Sequence, residues 1–167
     1  YPTDTIWGVG CDAKNEKAIE KIFEIKQRPK EKSMIILVDS VPMLERYVKN
    51  FPEVCYDLID YAVKPLTIIY EEPIGLAKNA LALDGSIGIR VTNDPICRKL
   101  IQGLKGPIIS TSANISGESS PKNFNEVSEE IKKGVDMILD KRTNEQMTTP
   151  SSIIRIANDS SIKIIRK

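Results

Sequence analysis

The sequence contains no histidine. That absence removes Ser-His-Asp and Cys-His catalysis and every histidine-based zinc site. An enzyme made of these residues must work through positioning and electrostatics, or through carboxylate and lysine chemistry. Cysteine is scarce: Cys11, Cys55 and Cys97 lie far apart, with no metal-like spacing. An odd, scattered set fits reduced thiols and small buried side chains, not a disulfide framework. Net charge is nearly absent, at +1, so no global field draws the chain to nucleic acid, and any RNA contact needs a local basic patch. No apolar run is long enough to span a bilayer and no secretory signal is visible, so a cytoplasmic protein without a membrane partner is expected.

What is present is the material of one domain. A length of 167 residues suits a single domain with a real core, expected over residues 1–167. The chain opens at Tyr1 directly in a structural segment, so an N-terminal segment is expected to be missing. Short β-rich runs alternate with amphipathic helical runs, which predicts an α/β fold. Asn15 is a candidate N-cap, followed by Ala18, Ile19, Ile22, Phe23 and Ile25 at helical spacing, with Pro29 as the expected stop. Strands are predicted over 34–38, 66–70, 87–91, 107–110, 137–139, 152–156 and 162–165. Ser40 and Asp94 are candidate helix caps, the second reinforced by Pro95. Helices are also predicted over 54–63 and 125–133, a hairpin turn over 158–161, and a mobile loop over 143–150.

Four segments carry the chemistry. In the first, residues 1–13, hydroxyls and glycines suit a backbone that approaches a small ligand; Gly8 and Gly10 lack the third glycine of a dinucleotide site. In the second, Lys26, Arg28, Lys30 and Lys32 put four cations within seven residues, with Glu31 the only acid among them. A helix C-terminus stabilises cations there in any case, but the same group can clamp phosphate. In the third, Arg90 interrupts the apolar strand 87–91 and needs a partner, which is either a structural carboxylate or a ligand carboxylate. In the fourth, small hydroxyl residues and Asn114 follow the strand at 107–110, where a loop after a buried strand can hold an anion.

In this order the segments resemble the YrdC-like family of threonylcarbamoyl-AMP synthases. The resemblance rests on Pro2-Thr3-Asp4-Thr5 with Gly8 and Gly10, on Lys26-Gln27-Arg28 as a KxR motif, on Ile89-Arg90, and on Ser112-Ala113-Asn114 as an SxN motif. It covers essentially the whole chain and implies the family's short form. The implied fold is a mixed α/β, YrdC/RibB-like one: a twisted mixed open sheet flanked by helices, with a large concave face. The resemblance implies Lys26, Arg28, Ser112 and Asn114 as the catalytic tetrad. It implies Arg28, Lys32, Ser86, Ser112, Ser120 and Arg166 at ATP, and Thr5, Arg90 and Ser110 at threonine, with Arg90 on its carboxylate. Leu37 stands where some members have histidine, and Lys64 where the family has glycine.

The implied reaction joins L-threonine, bicarbonate and ATP to L-threonylcarbamoyl-AMP and releases pyrophosphate. Magnesium would bridge the ATP phosphates, with no dedicated carboxylate cage and no organic cofactor. The implied partners are tRNA, by indirect or weak contact, and a downstream threonylcarbamoyl transferase complex. Two alternatives stay open at this point. One is a paralogue of the same fold that binds double-stranded RNA or a nucleotide without the synthase activity. The other is the carbamoyl-transferring domain of hydrogenase maturation factors, although no accompanying acylphosphatase or zinc-finger sequence is seen.

Overall fold

The computed structural model describes residues 1–30 and 34–167. Helix α1, Glu16–Ile25, begins as its sequence predicts: Asn15 accepts a hydrogen bond from the Ala18 amide at 3.1 Å, and Ile19, Ile22 and Phe23 are buried. It ends earlier than Pro29 requires. Gln27 takes a left-handed conformation (φ 48°), Arg28 N–H donates to Phe23 O at 2.9 Å, and Gln27 N–H donates to Glu24 O at 3.0 Å. This is a Schellman ending, and it satisfies the last carbonyls of the helix without the proline.

The strands are β1 (Gly8–Val9), β2 (Ile35–Val38), β3 (Leu66–Tyr70), β4 (Ile87–Val91), β5 (Ile108–Ser112), β6 (Ser152–Ile156) and β7 (Ile162–Arg166). Among the described residues they form one mixed sheet in the order β1-β5-β2-β4-β3-β6-β7. The pairs β2–β4 and β3–β6 are parallel and the rest antiparallel. Parallel neighbours need long crossovers. Helices α2 (Val41–Glu45) and α3 (Val54–Asp60) lie between β2 and β3 in sequence, and α4 (Pro95–Leu104) and α5 (Glu129–Gly134) lie in the later connections. Asp94 caps α4 by accepting from the Ile96 and Cys97 amides.

The register sorts residues between two faces. Ile36, Ile89, Ile68 and Ile154 lie in one row, with Ile109 opposite Ile36. Side chains alternate across a strand, so this row builds the apolar core with Ile19, Ile22, Phe23, Met43 and Leu44. The opposite face carries Gly88, Ile35 and Ser110 in one row and Arg90, two residues further along β4, in the next. A smaller cluster of Trp7, Val9, Ala113, Val127, Ile131 and Met147 closes the β1 end.

Three expectations change. Residues 137–139 form no strand; no neighbouring edge pairs with them, and Met137 is exposed. Ser40 sits at the N-terminus of α2, but its hydroxyl donates to Asp39 at 2.7 Å and makes no cap bond. The helix expected over 125–133 is a 3-10 turn, Phe124–Glu126, followed by α5, which Ser128 caps at Ile131. The loop at 143–150 has no regular structure but is pinned: Phe124 N–H donates to Thr143 O, Met147 N–H donates to Lys122 O, and the Met147 side chain is buried.

Candidate active site

The turn that ends α1 and the loop that follows β5 hold each other. Lys26 is only 1% exposed. Its ammonium donates to the main-chain carbonyls of Ser112 and, at 2.6 Å, Asn114. In return the Ser116 amide donates to Lys26 O at 2.8 Å. Burial first, and the Arg28 guanidinium second, push the Lys26 pKa down to about 8. Lys26 therefore fixes the path of the SxN loop, and Arg28, half-buried beside it, is the cation of the motif nearer to solvent. Asn114 is oriented by the same loop: its Nδ2 donates to Ile115 O and Glu118 O, both at 2.8 Å. Two carbonyl partners fix which end of the amide is nitrogen. Its Oδ1 is left buried with no partner among the described residues, an acceptor ready for an N–H or O–H group.

A second cluster continues along the same face. Arg90 is 4% exposed. Its Nη2 lies 3.1 Å from Asp4 Oδ1, and its Nη1 donates to Thr5 Oγ1 at 3.2 Å. A structural carboxylate thus holds one end of this buried arginine, and its Nε is buried without a partner among the described residues.

The two clusters are linked through the N-terminal segment. Thr5 Oγ1 and Thr3 Oγ1 are hydrogen-bonded at 2.9 Å. A Cβ placed on Gly8 would sit 3.3 Å from both the Thr3 methyl and Ser110 Oγ, and Gly8 pairs with Ser112. A chain of contacts therefore runs from Arg90 through Thr5, Thr3, Gly8 and Ser110 to Ser112 and Lys26. The KxR turn thus lies against the SxN loop, and Thr5 lies against Arg90.

At the other side of Arg90 the sheet adds a third cation. Thr67 hydrogen-bonds Ser151 at 2.8 Å, and Arg166 Nε donates to Ser151 O at 2.9 Å. Arg166 pairs with Ile153, which pairs with Thr67, so Arg166 shares the face of Arg90. Burial, and then the charge of Arg90, lower the pKa of Arg166 from its ordinary value. Two guanidiniums that repel across one face are stabilised by an anion between them.

The remaining expected residues divide. Ser86 lies on the same face, but its hydroxyl is committed to Asp84 at 2.6 Å. Ser120 is exposed in the loop after β5. Lys32 lies outside the described residues. Leu37 is fully buried opposite Arg90 and Ile108, so its position offers no polar contact. Nothing in the structure ties the exposed Lys64 to this face. Sequence reasoning missed Asp4, Thr67 and Ser151. Asp4 had a signal, since a buried arginine demands a carboxylate; Thr67 and Ser151 had none, since only the β3–β6 pairing brings them together.

A separate cavity of about 380 Å3 lies behind β1, between α1, α4 and α5. Trp7, Ile22, Ile25, Leu104, Phe124 and Ile131 are among its mostly apolar walls, and Lys26, Arg28 and Arg90 are not. Its apolar chemistry does not suit charged substrates, so the polar face is the candidate active site.

Residues 1–167 match the Sua5/YciO/YrdC family, whose description is telomere recombination. A Methanocaldococcus jannaschii relative is 37% identical over 163 residues, 97% of this chain and 75% of its own. A threonylcarbamoyl-AMP synthase of Pseudoalteromonas translucida is 34% identical over 158 residues, 92% of this chain and 83% of its own. Among solved structures, P. abyssi Sua5 complexed with L-threonine superposes with a TM-score of 0.78 at 30% identity over 92% of this chain. This chain spans 45% of that protein's length.

Proposed function

The chain belongs to the Sua5/YciO/YrdC family, and from that premise we propose that it is an L-threonylcarbamoyladenylate synthase. It joins L-threonine, bicarbonate and ATP to L-threonylcarbamoyl-AMP and releases pyrophosphate. The observation that carries this reading is the Lys26 ammonium on the Ser112 and Asn114 carbonyls, which locks the KxR turn to the SxN loop beside Arg90.

The threonine amine adds to carbon dioxide derived from bicarbonate and gives a carbamate. A carbamate oxygen attacks the α-phosphorus of ATP, and the bond to the pyrophosphate leaving group breaks. Such a displacement needs neutralised oxyanions and fixed geometry, and no protein nucleophile. Arg90 holds the threonine carboxylate, with Thr5 and Ser110 lining the same pocket. Arg28 and Arg166 face the nucleotide phosphates, and Lys26 acts through the loop it positions. Asn114 Oδ1 accepts from a ribose hydroxyl or the adenine amine, because an acceptor cannot hold a phosphate oxygen. Ser112, Ser86, Ser120 and Lys32 complete the proposed nucleotide contacts. Magnesium would enter with ATP as part of the substrate and neutralise charge on its phosphates.

No helix among the described residues is long and apolar enough to cross a membrane. The reading places the enzyme in the cytoplasm, handing its labile mixed anhydride to a transferase complex that acts on tRNA. Incubating the protein with ATP, threonine and bicarbonate tests the core of it: pyrophosphate release should require all three. Arg28→Ala should abolish that release while circular dichroism stays unchanged. ATP–pyrophosphate exchange retained in the variant would contradict the role of Arg28. Salt-dependent RNA binding without threonine-dependent turnover would point to the binding paralogue instead.

A further inference from the structure

The proposed threonine pocket contains an acidic side chain, Asp4 of the Pro2-Thr3-Asp4-Thr5 motif, to which the resemblance assigns no role. Asp4 Oδ1 is 3.1 Å from Arg90 Nη2, and the Asp4 side chain is 24% exposed while that of Arg90 is 5% exposed. Thr5 occupies Nη1, and the buried Nε has no partner among the described residues. Asp4 Oδ2 has no hydrogen-bond partner among the described residues. The guanidinium therefore has both terminal nitrogens engaged and a buried Nε left over, while the partly exposed Asp4 keeps one carboxylate oxygen unspent.

An α-amino acid carries the complementary pattern, because its carboxylate and its ammonium are attached to one carbon and lie about one hydrogen-bond length apart. Resting on the reading above, we propose that Asp4 and Arg90 form a clamp for the zwitterion. Arg90 Nε takes the α-carboxylate, and Asp4 Oδ2 takes the α-ammonium. Asp4 is then a specificity-determining residue. It selects an α-amino acid over an α-hydroxy acid of the same shape, because without the ammonium the Asp4 oxygen faces a group that cannot neutralise it. Thr5 and Asp4 are adjacent in sequence, so one short segment fixes both the arginine and the amine.

The test compares two ligands by calorimetry on the unaltered protein and on Asp4→Asn, which keeps the size and one acceptor oxygen. The ligands are L-threonine and the matching 2,3-dihydroxybutanoate, in which a hydroxyl replaces the ammonium. The unaltered protein should bind threonine roughly 10- to 100-fold more tightly than dihydroxybutanoate. Asp4→Asn should lose most of that preference by weakening threonine alone, with ATP affinity unchanged, and Asp4→Glu should restore part of it. If Asp4→Asn weakens both ligands equally, Asp4 only steadies Arg90 and the clamp is wrong. The ligand pair on the unaltered protein needs no variant to fold: equal affinity for the two also overturns the clamp. An unaltered protein that binds neither ligand overturns the threonine reading itself, and the clamp with it.

Discussion

Lys26 shows how much a single side chain decides here. Its ammonium is buried, and two of its three N–H donors end on main-chain carbonyls instead of solvent. Its folded pKa falls from the ordinary 10.5 to about 8. Between those values the unfolded chain holds more of this proton than the folded protein does. The Lys26 contribution to stability therefore rises with pH through that window and is lost as pH falls through about 8. Buried tyrosines and cysteines titrate in the opposite sense, so the measurement is a difference. The unfolding free energy of the protein minus that of Lys26→Met, followed by urea titration, should increase from pH 8 to 10.5. A flat or falling difference would show that the ammonium is not buried. The variant should also be less stable at all pH values, by about 1–3 kcal/mol for each orphaned carbonyl. The residue type and spacing were legible in the sequence, which singled out Lys26 beside Arg28. Its division of labour with Arg28 was not, because a lysine that clamps phosphate and one that clamps carbonyls are written with the same letter.

At the scale of elements, local signals were read well where a side chain satisfies its own helix or strand. Asn15 and Asp94 cap as their sequences predict, and β3 and β4 have the expected bounds. Signals that depend on a neighbour were read less well. Residues 137–139 have strand-like composition but no partner edge. The glycine pair at the start was legible as a close approach and not as its cause: a Cβ on Gly10 would lie 2.0 Å from Ile109 O. That glycine lets β1 press onto β5, a packing role that also explains why the missing third glycine of a dinucleotide motif does not matter. The sequence predicts Pro29 as the end of α1, and the left-handed Gln27 ends it two residues earlier. Because glutamine has a Cβ in a region that favours glycine, Gln27→Gly should stabilise the protein by about 0.5–1 kcal/mol in urea unfolding. It should leave threonine-dependent turnover in place, since the turn that presents Lys26 and Arg28 is kept. Lower stability in this variant would mean that the glutamine side chain makes a compensating contact.

For the whole molecule, the sheet order gathers residues that are far apart in sequence. Arg90 on β4, Thr67 on β3 and Arg166 on β7 share a face only because β3 and β6 run parallel and β7 folds back as a hairpin. Arg142 ties the long connection after α5 to the capping carboxylate of Asp94 at 2.6 Å, so the segment that returns to Ser151 is held near the C-terminal end of β4. Motif order indicated which residues meet, but the networks through Ser151 and Asp4 needed the register. The central claim is that nucleotide and amino acid share the polar face between Arg28, Arg90 and Arg166. A crystal structure of the protein with L-threonine and a non-hydrolysable ATP analogue tests it most directly. The threonine carboxylate should lie on Arg90 Nε, with the α-phosphate within reach of Arg28 and the SxN loop. Nucleotide density in the apolar cavity behind β1, with the Arg90 face empty, would contradict it.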